Sequence, residues 1–171
     1  MNQHSPRLHS IDGDPAGAPA RARVAIVSAC WHRDIVAQAT AAARDELNRG
    51  AGDALDLEHF EVPGAFEIPL HAQRLARSGR YDAIIACALV VNGGIYRHEF
   101  VSSAVIDGLM RVQLDTDTPV FSAVLTPRDF HEHDEHHEFF ARHFVKKGTE
   151  VAHACLATLA SLRRLPAGAR A

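Results

Sequence analysis

The run AIIACALVV, residues 83–91 of the 171-residue chain, is its most hydrophobic stretch and admits few folds. Nine apolar residues fall far short of the ~20 that cross a bilayer. Tyr81 and Asp82 precede the run, and the glycine-rich segment beginning at Asn92 follows it. A short, near-continuous apolar run bounded in this way reads as a central strand buried on both faces. A strand covered on both faces belongs to a parallel sheet with helices above and below.

The remaining segments supply those neighbours. ARVAIVSA (22–29) is a second buried strand; ALDLEHFEV (54–62), which alternates through Leu55 and Leu57 and then shifts towards Phe60, is a third strand, and TPVFSAVL (118–125) a fourth. Between them, residues 33–50 place Ile35, Ala39, Ala42, Glu46 and Leu47 near helical spacing, with Gly50 as the stop signal. Residues 66–79 read as a helix whose Pro69 must lie in the first turn, because an interior proline would break the ladder. Residues 98–115 read as a third helix and 149–164 as the last. Strand and helix alternate four times, which predicts a three-layer α/β/α sandwich around a mainly four-stranded parallel sheet.

Residues 1–21, rich in Pro, Gly, Ser and Ala, are expected to form a disordered arm; 22–165 form the folded domain, and 166–171 fray. A formal charge of −3 gives no reason to expect nucleic acid or an anionic membrane as partner. The N-terminus lacks a charged-then-apolar signal pattern, so a cytoplasmic protein is expected. Cys30, Cys87 and Cys155 are odd in number and widely spaced, and read as small buried hydrophobes rather than disulfides.

In parallel sheets ligands bind beyond the carboxyl ends of the strands, so chemistry is sought in the loops that follow them. After the first strand stands Trp31, the only tryptophan, which either stacks on a flat ligand or covers the sheet end. In VPGAFEIP (62–69), Gly64 permits a tight turn ahead of a helix start, where free N–H groups receive an anion or carbonyl and Glu67 suits the helix dipole. On its own this also reads as an ordinary helix start with an acidic first turn. In VVNGGIYRHEF (90–100), Gly93 and Gly94 allow backbone to approach a phosphate, although neither a P-loop nor a dinucleotide fingerprint is present. Arg97 and His98 just behind add a fixed cation and a titratable base.

VPGAFEIP, the glycine turn followed by YRHEFV, and KKG ahead of the last helix together resemble the lumazine synthase (6,7-dimethyl-8-ribityllumazine synthase) family, and its second, rhizobial-type branch most. The resemblance runs from about Val24 to Leu162. It implies a flavodoxin-like fold assembled into pentamers, with a decamer as the form suggested by the branch, and sites between neighbouring subunits. It also implies condensation of 5-amino-6-(D-ribitylamino)uracil with 3,4-dihydroxy-2-butanone 4-phosphate, without metal or organic cofactor. By the same resemblance Trp31 stacks on the pyrimidine, Ala65, Phe66 and Glu67 line the ribityl chain and ring, and Leu89, Val90 and Val91 offer backbone to the pyrimidine. Gly94 and Ile95 stand where the common branch holds the substrate phosphate, Ser122 where it has a phenylalanine, and Lys147 matches a lysine preceding the final helix.

Two positions depart from the family pattern. The family's proton-transferring histidine corresponds to Arg97, which cannot deprotonate near neutral pH. His98 supplies that function only if the helix start is rotated by about 100°, so the proton carrier stays open between Arg97 and His98. The family's phosphate-gripping arginine corresponds to His136.

His136 lies in HEHDEHHEFF (131–140), which holds four of the chain's 12 histidines. His133 and His137 stand four apart and would share a helix face, but HExxH and HxxEH spacings are absent. The segment therefore reads as a solvated helix face with Phe139 and Phe140 turned inward, in which His136 alone has a role toward substrate. An imidazolium grips phosphate only while protonated. The alternative to an enzyme is a low-turnover isoform that mainly binds flavin or lumazine, or serves as a scaffold.

Overall fold

The computed structural model describes residues 21–94, 97–128, 130 and 134–165, with the side chains of Asp134 and Glu135 excepted. The expected N-terminal arm (Arg21 apart), the fraying C-terminus, Ile95, His131 and His133 lie outside these residues.

Four strands, β1 (Ala22–Ala29), β2 (Leu55–Val62), β3 (Ala83–Leu89) and β4 (Val120–Leu125), pair in parallel in the order β2-β1-β3-β4. Four helices connect and follow them: α1 (Arg33–Ala51), α2 (Ile68–Arg77), α3 (His98–Thr116) and α4 (Asp134–Leu162). This is the flavodoxin-like three-layer sandwich. Successive side chains of a strand point to opposite faces. On β1, Val24 and Ile26 join Leu47 of α1 and Phe144 of α4 in one core, while Ala25 and Val27 join Ile68 of α2 and Val105 of α3 in the other. All seven residues of β3 are buried, as the continuous apolar run demands of a strand flanked by β1 and β4.

Pro69 falls in the first turn of α2, where its missing N–H costs nothing. A 3-10 turn, Ala65–Glu67, leads into that helix. Gly50 is not the stop of α1. The chain leaves the helix at Gly52, whose φ of +52° suits glycine.

The last helix departs furthest from expectation. It begins at Asp134, fifteen residues ahead of the expected 149, and passes through Gly148 without a break. Gly148, which stood just ahead of the expected helix, lies within it and serves contact between helices. A Cβ on Gly148 would lie 2.3 Å from the carbonyl oxygen of Ala39 and 2.9 Å from Cβ of Ala42. With a hydrogen in that place, α4 rests directly on the backbone of α1. Phe140, Phe144, Ala152 and Cys155 lie on this inward stripe, whereas Phe139, one residue out of phase, is 55% exposed rather than buried. Glu46 of α1 is buried at the same seam, with its charge met by His153 of α4 at 2.6 Å and by Arg49. Cys87 and Cys155 are buried and their thiols are pushed up to about 12 by loss of solvation, but Cys30 is partly exposed, contrary to expectation.

Gly148→Ala forces α4 away from α1. We expect it to cost about 1–3 kcal/mol and to lower Tm by roughly 3–10 °C in a thermal melt. A variant melting at or above the parent would show that the two backbones are not in contact.

Candidate active site

Parallel register brings all four strands to a common carboxyl edge. Ala29 pairs with Val62, and Leu89 with Leu125. The ladder runs one bond further on each side, from the Cys30 N–H to the Val62 carbonyl at 2.8 Å and from the Val90 N–H to the Leu125 carbonyl at 2.9 Å. Strand order reverses between β1 and β3, the place where such sheets open a crevice.

The loop after β1 presents Trp31 at 69% exposure, so the indole is not a cover for the sheet end. His32, in the left-handed region at φ 52°, turns the chain into α1 and sets its ring edge-on to Phe130 at 5.1 Å. Gly64, in the loop after β2, lies beneath the indole: a Cβ there would stand 3.8 Å from Cε2 of Trp31 and 3.1 Å from Oε2 of Glu67. Its backbone is extended, with φ −144°. The glycine therefore serves the close approach of the Glu67 carboxylate rather than the tight turn read from the sequence, with the indole at ordinary contact distance. Its N–H donates to Oε2 of Glu67 at 2.9 Å, which fixes the carboxylate at the mouth of α2. Ala65 is buried beside it and Phe66 is 65% exposed.

After β3, Leu89 and Val90 are buried, Val91 is partly covered, and the chain is exposed from Asn92 to Gly94. Gly94 has φ +76°, and its N–H donates to Oδ1 of Asn92 at 3.1 Å, so that amide is already engaged. Arg97 is the residue ahead of α3 and is exposed, with its guanidinium 4.8 Å from the ring centre of Phe100. His98, by contrast, is largely covered. Its side chain is only 11% exposed, with Nδ1 3.6 Å from Oε2 of Glu99.

The histidine-rich start of α4 docks beside the start of α1 through a contact between His137 and Asp34. Burial alone would raise the Asp34 carboxyl, but the His137 bond and the Ile35 N–H outweigh it and hold the group below its ordinary value. His136 is partly buried, with its ring 6.3 Å from that of Phe140. Among the described residues no group of three or more His, Cys, Asp or Glu side chains is placed to hold a metal.

Trp31, Gly64, Ala65, Phe66, Glu67, Val90, Val91, Gly94 and Arg97 thus belong to one edge, with His136 on the element that docks there. Two expected residues are elsewhere on this chain. Ser122 is exposed on the outer strand β4, three residues before its end. Lys147 lies inside α4 rather than ahead of it, about 15 Å along the helix from His137 at 1.5 Å per residue, and bonds Glu150 at 2.8 Å. The sequence reading missed the parts played by His32, Asn92, His137 and Phe100. Only Asn92, in an Asn-Gly turn signal, was marked by its sequence context.

The fold and this edge define a doubly wound α/β protein with a strand-end site of aromatic, acidic and cationic groups. The model of the 6,7-dimethyl-8-ribityllumazine synthase family matches residues 21–163. A 6,7-dimethyl-8-ribityllumazine synthase of Rhodococcus erythropolis is 60% identical over 144 residues, covering 84% of this chain and 93% of the relative. 6,7-dimethyl-8-ribityllumazine synthase 2 of Bradyrhizobium diazoefficiens is 60% identical over 143 residues (84% and 86%), and its namesake in Pseudomonas syringae pv. tomato 53% over 152 residues (87% and 89%). The chain belongs to the 6,7-dimethyl-8-ribityllumazine synthase family. No helix of the described residues is long and apolar enough to cross a membrane.

Proposed function

We propose that the chain condenses 5-amino-6-(D-ribitylamino)uracil with 3,4-dihydroxy-2-butanone 4-phosphate to give 6,7-dimethyl-8-ribityllumazine, phosphate and water, a transferase step of riboflavin biosynthesis in the cytoplasm. The observation that carries it is the strand edge on which an exposed Trp31 stands over Gly64 beside the anchored Glu67, in a chain 60% identical to relatives of that name.

In this reading the pyrimidine stacks on Trp31 and meets the backbone of Leu89, Val90 and Val91. The ribityl chain runs along Ala65, Phe66 and Glu67, and the phosphate lies near Gly94, Ile95 and His136. Arg97 polarises the reacting carbonyl but, being always charged, does not take a proton. The burial of His98 counts against its reaching the reacting atoms. Schiff-base formation, loss of phosphate and ring closure then gain chiefly from holding amine and carbonyl together, an effect that reaches ~10⁵ M of effective molarity or more.

The enzyme works as an oligomer built on pentamers, which pair into a decamer. Support comes from α3, which buries Val105, Leu109 and Val112 but leaves Phe100, Ile106, Met110 and Leu114 exposed. Large apolar side chains left open on one helix mark an interaction surface, which in this reading a second copy covers. Ser122 and Lys147, remote from the edge on their own chain, then reach the site of a neighbour.

Mixing the two substrates with the protein should produce the fluorescent lumazine well above the uncatalysed rate, insensitive to chelator. A rate equal to the protein-free control overturns the reading. For His136, replacement by Ala should raise KM for the butanone phosphate several-fold while leaving KM for the pyrimidine unchanged, and His136→Arg, which also grips phosphate, should restore it. An unchanged KM for the butanone phosphate in His136→Ala would remove His136 from the phosphate site.

A further inference from the structure

We infer that Phe100 is a positioning residue for the reaction: it holds the Arg97 guanidinium over its ring face and so keeps the hydrogen-bonding edge of that cation free for substrate. The inference rests on Arg97 acting in the proposed condensation.

Arg97 stands just ahead of α3 and Phe100 three residues later, where the Phe100 N–H donates to the Arg97 carbonyl at 3.0 Å. That turn stacks one side chain above the other. The guanidinium carbon lies 4.8 Å from the ring centre, inside the ~6 Å at which the ring quadrupole attracts a cation. Among the described residues Arg97 has no ion pair and no side-chain hydrogen bond. The nearest carboxylate in sequence, Glu99, turns instead to His98 at 3.6 Å.

The choice of partner matters chemically. A carboxylate binds a guanidinium through its planar fork of N–H donors and neutralises its charge. A ring binds the same group through its π face, leaving the in-plane donors and the charge available. An arginine with a polarising role is thus fixed in place without its donors being consumed. Phe100 is 65% exposed, so its ring is not retained to fill this chain's core.

The test measures steady-state lumazine formation, with oligomer mass followed by light scattering. Phe100→Leu should lower kcat by about two- to five-fold, the worth of an exposed cation–π contact, and Phe100→Tyr should restore it. A ring-fluorinated phenylalanine at this position keeps the shape but weakens the π face. It should reproduce the loss at unchanged oligomer mass, which separates positioning from assembly. In an Arg97→Ala background the fluorinated ring should have no further effect. The inference is overturned if the fluorinated protein turns over like the parent, if its loss persists without Arg97, or if Arg97→Ala itself is fully active. Absence of lumazine formation by the parent protein would instead overturn the proposed function.

Discussion

The molecule depends on two adjacent strands, β1 and β3, that are buried on both faces and run parallel. Their side chains are apolar in either direction, so helices must cover both faces of the sheet. Parallel pairing then forces every connection to cross from one end of the sheet to the other. All four strands consequently finish at the same edge, and the chain's order reverses between β1 and β3. The crevice that carries Trp31, Glu67 and Arg97 follows from that geometry before any of these residues is considered.

A second constraint keeps the edge in shape. α4 lies against α1 so closely that Gly148 touches the backbone at Ala39, and His153 pairs with the buried carboxylate of Glu46 at the seam. At the far end of the same seam His137 meets Asp34. The histidine-rich turn is thereby placed next to the loop bearing Trp31. Within that turn His137 makes the docking contact, with His136 beside it as the candidate phosphate ligand.

How much of this was legible depended on whether a signal was local. Continuous apolar runs marked β1 and β3, since burial on two faces leaves little room for alternation, whereas the outer strand β2 carries Asp56, Glu58 and Glu61 among its apolar residues. Pro69 located the first turn of α2 because proline is tolerated only there. The start of α4 was misplaced at 149, just past Gly148, because nothing local shows that this glycine lies within a helix and lets two helices touch until the partner backbone is known. The same error placed Lys147 ahead of a helix it lies within, and it hid the phase that exposes Phe139. Gly64 was recognised for the wrong reason, because its backbone is extended and its tightest neighbour is the Glu67 carboxylate. The orientations of Arg97 and His98 were not readable either. Adjacent residues at a helix start differ by about 100°, and only the packed structure shows which of them faces outward.

The central claim is that the strand edge receives a flat heterocycle on Trp31. Because Trp31 is the only tryptophan, its emission reports on that contact alone. Titration of the intact protein with 5-amino-6-(D-ribitylamino)uracil should quench it saturably, at concentrations matching those that saturate turnover. Emission that stays unchanged while turnover is saturated would place the pyrimidine elsewhere and contradict the account.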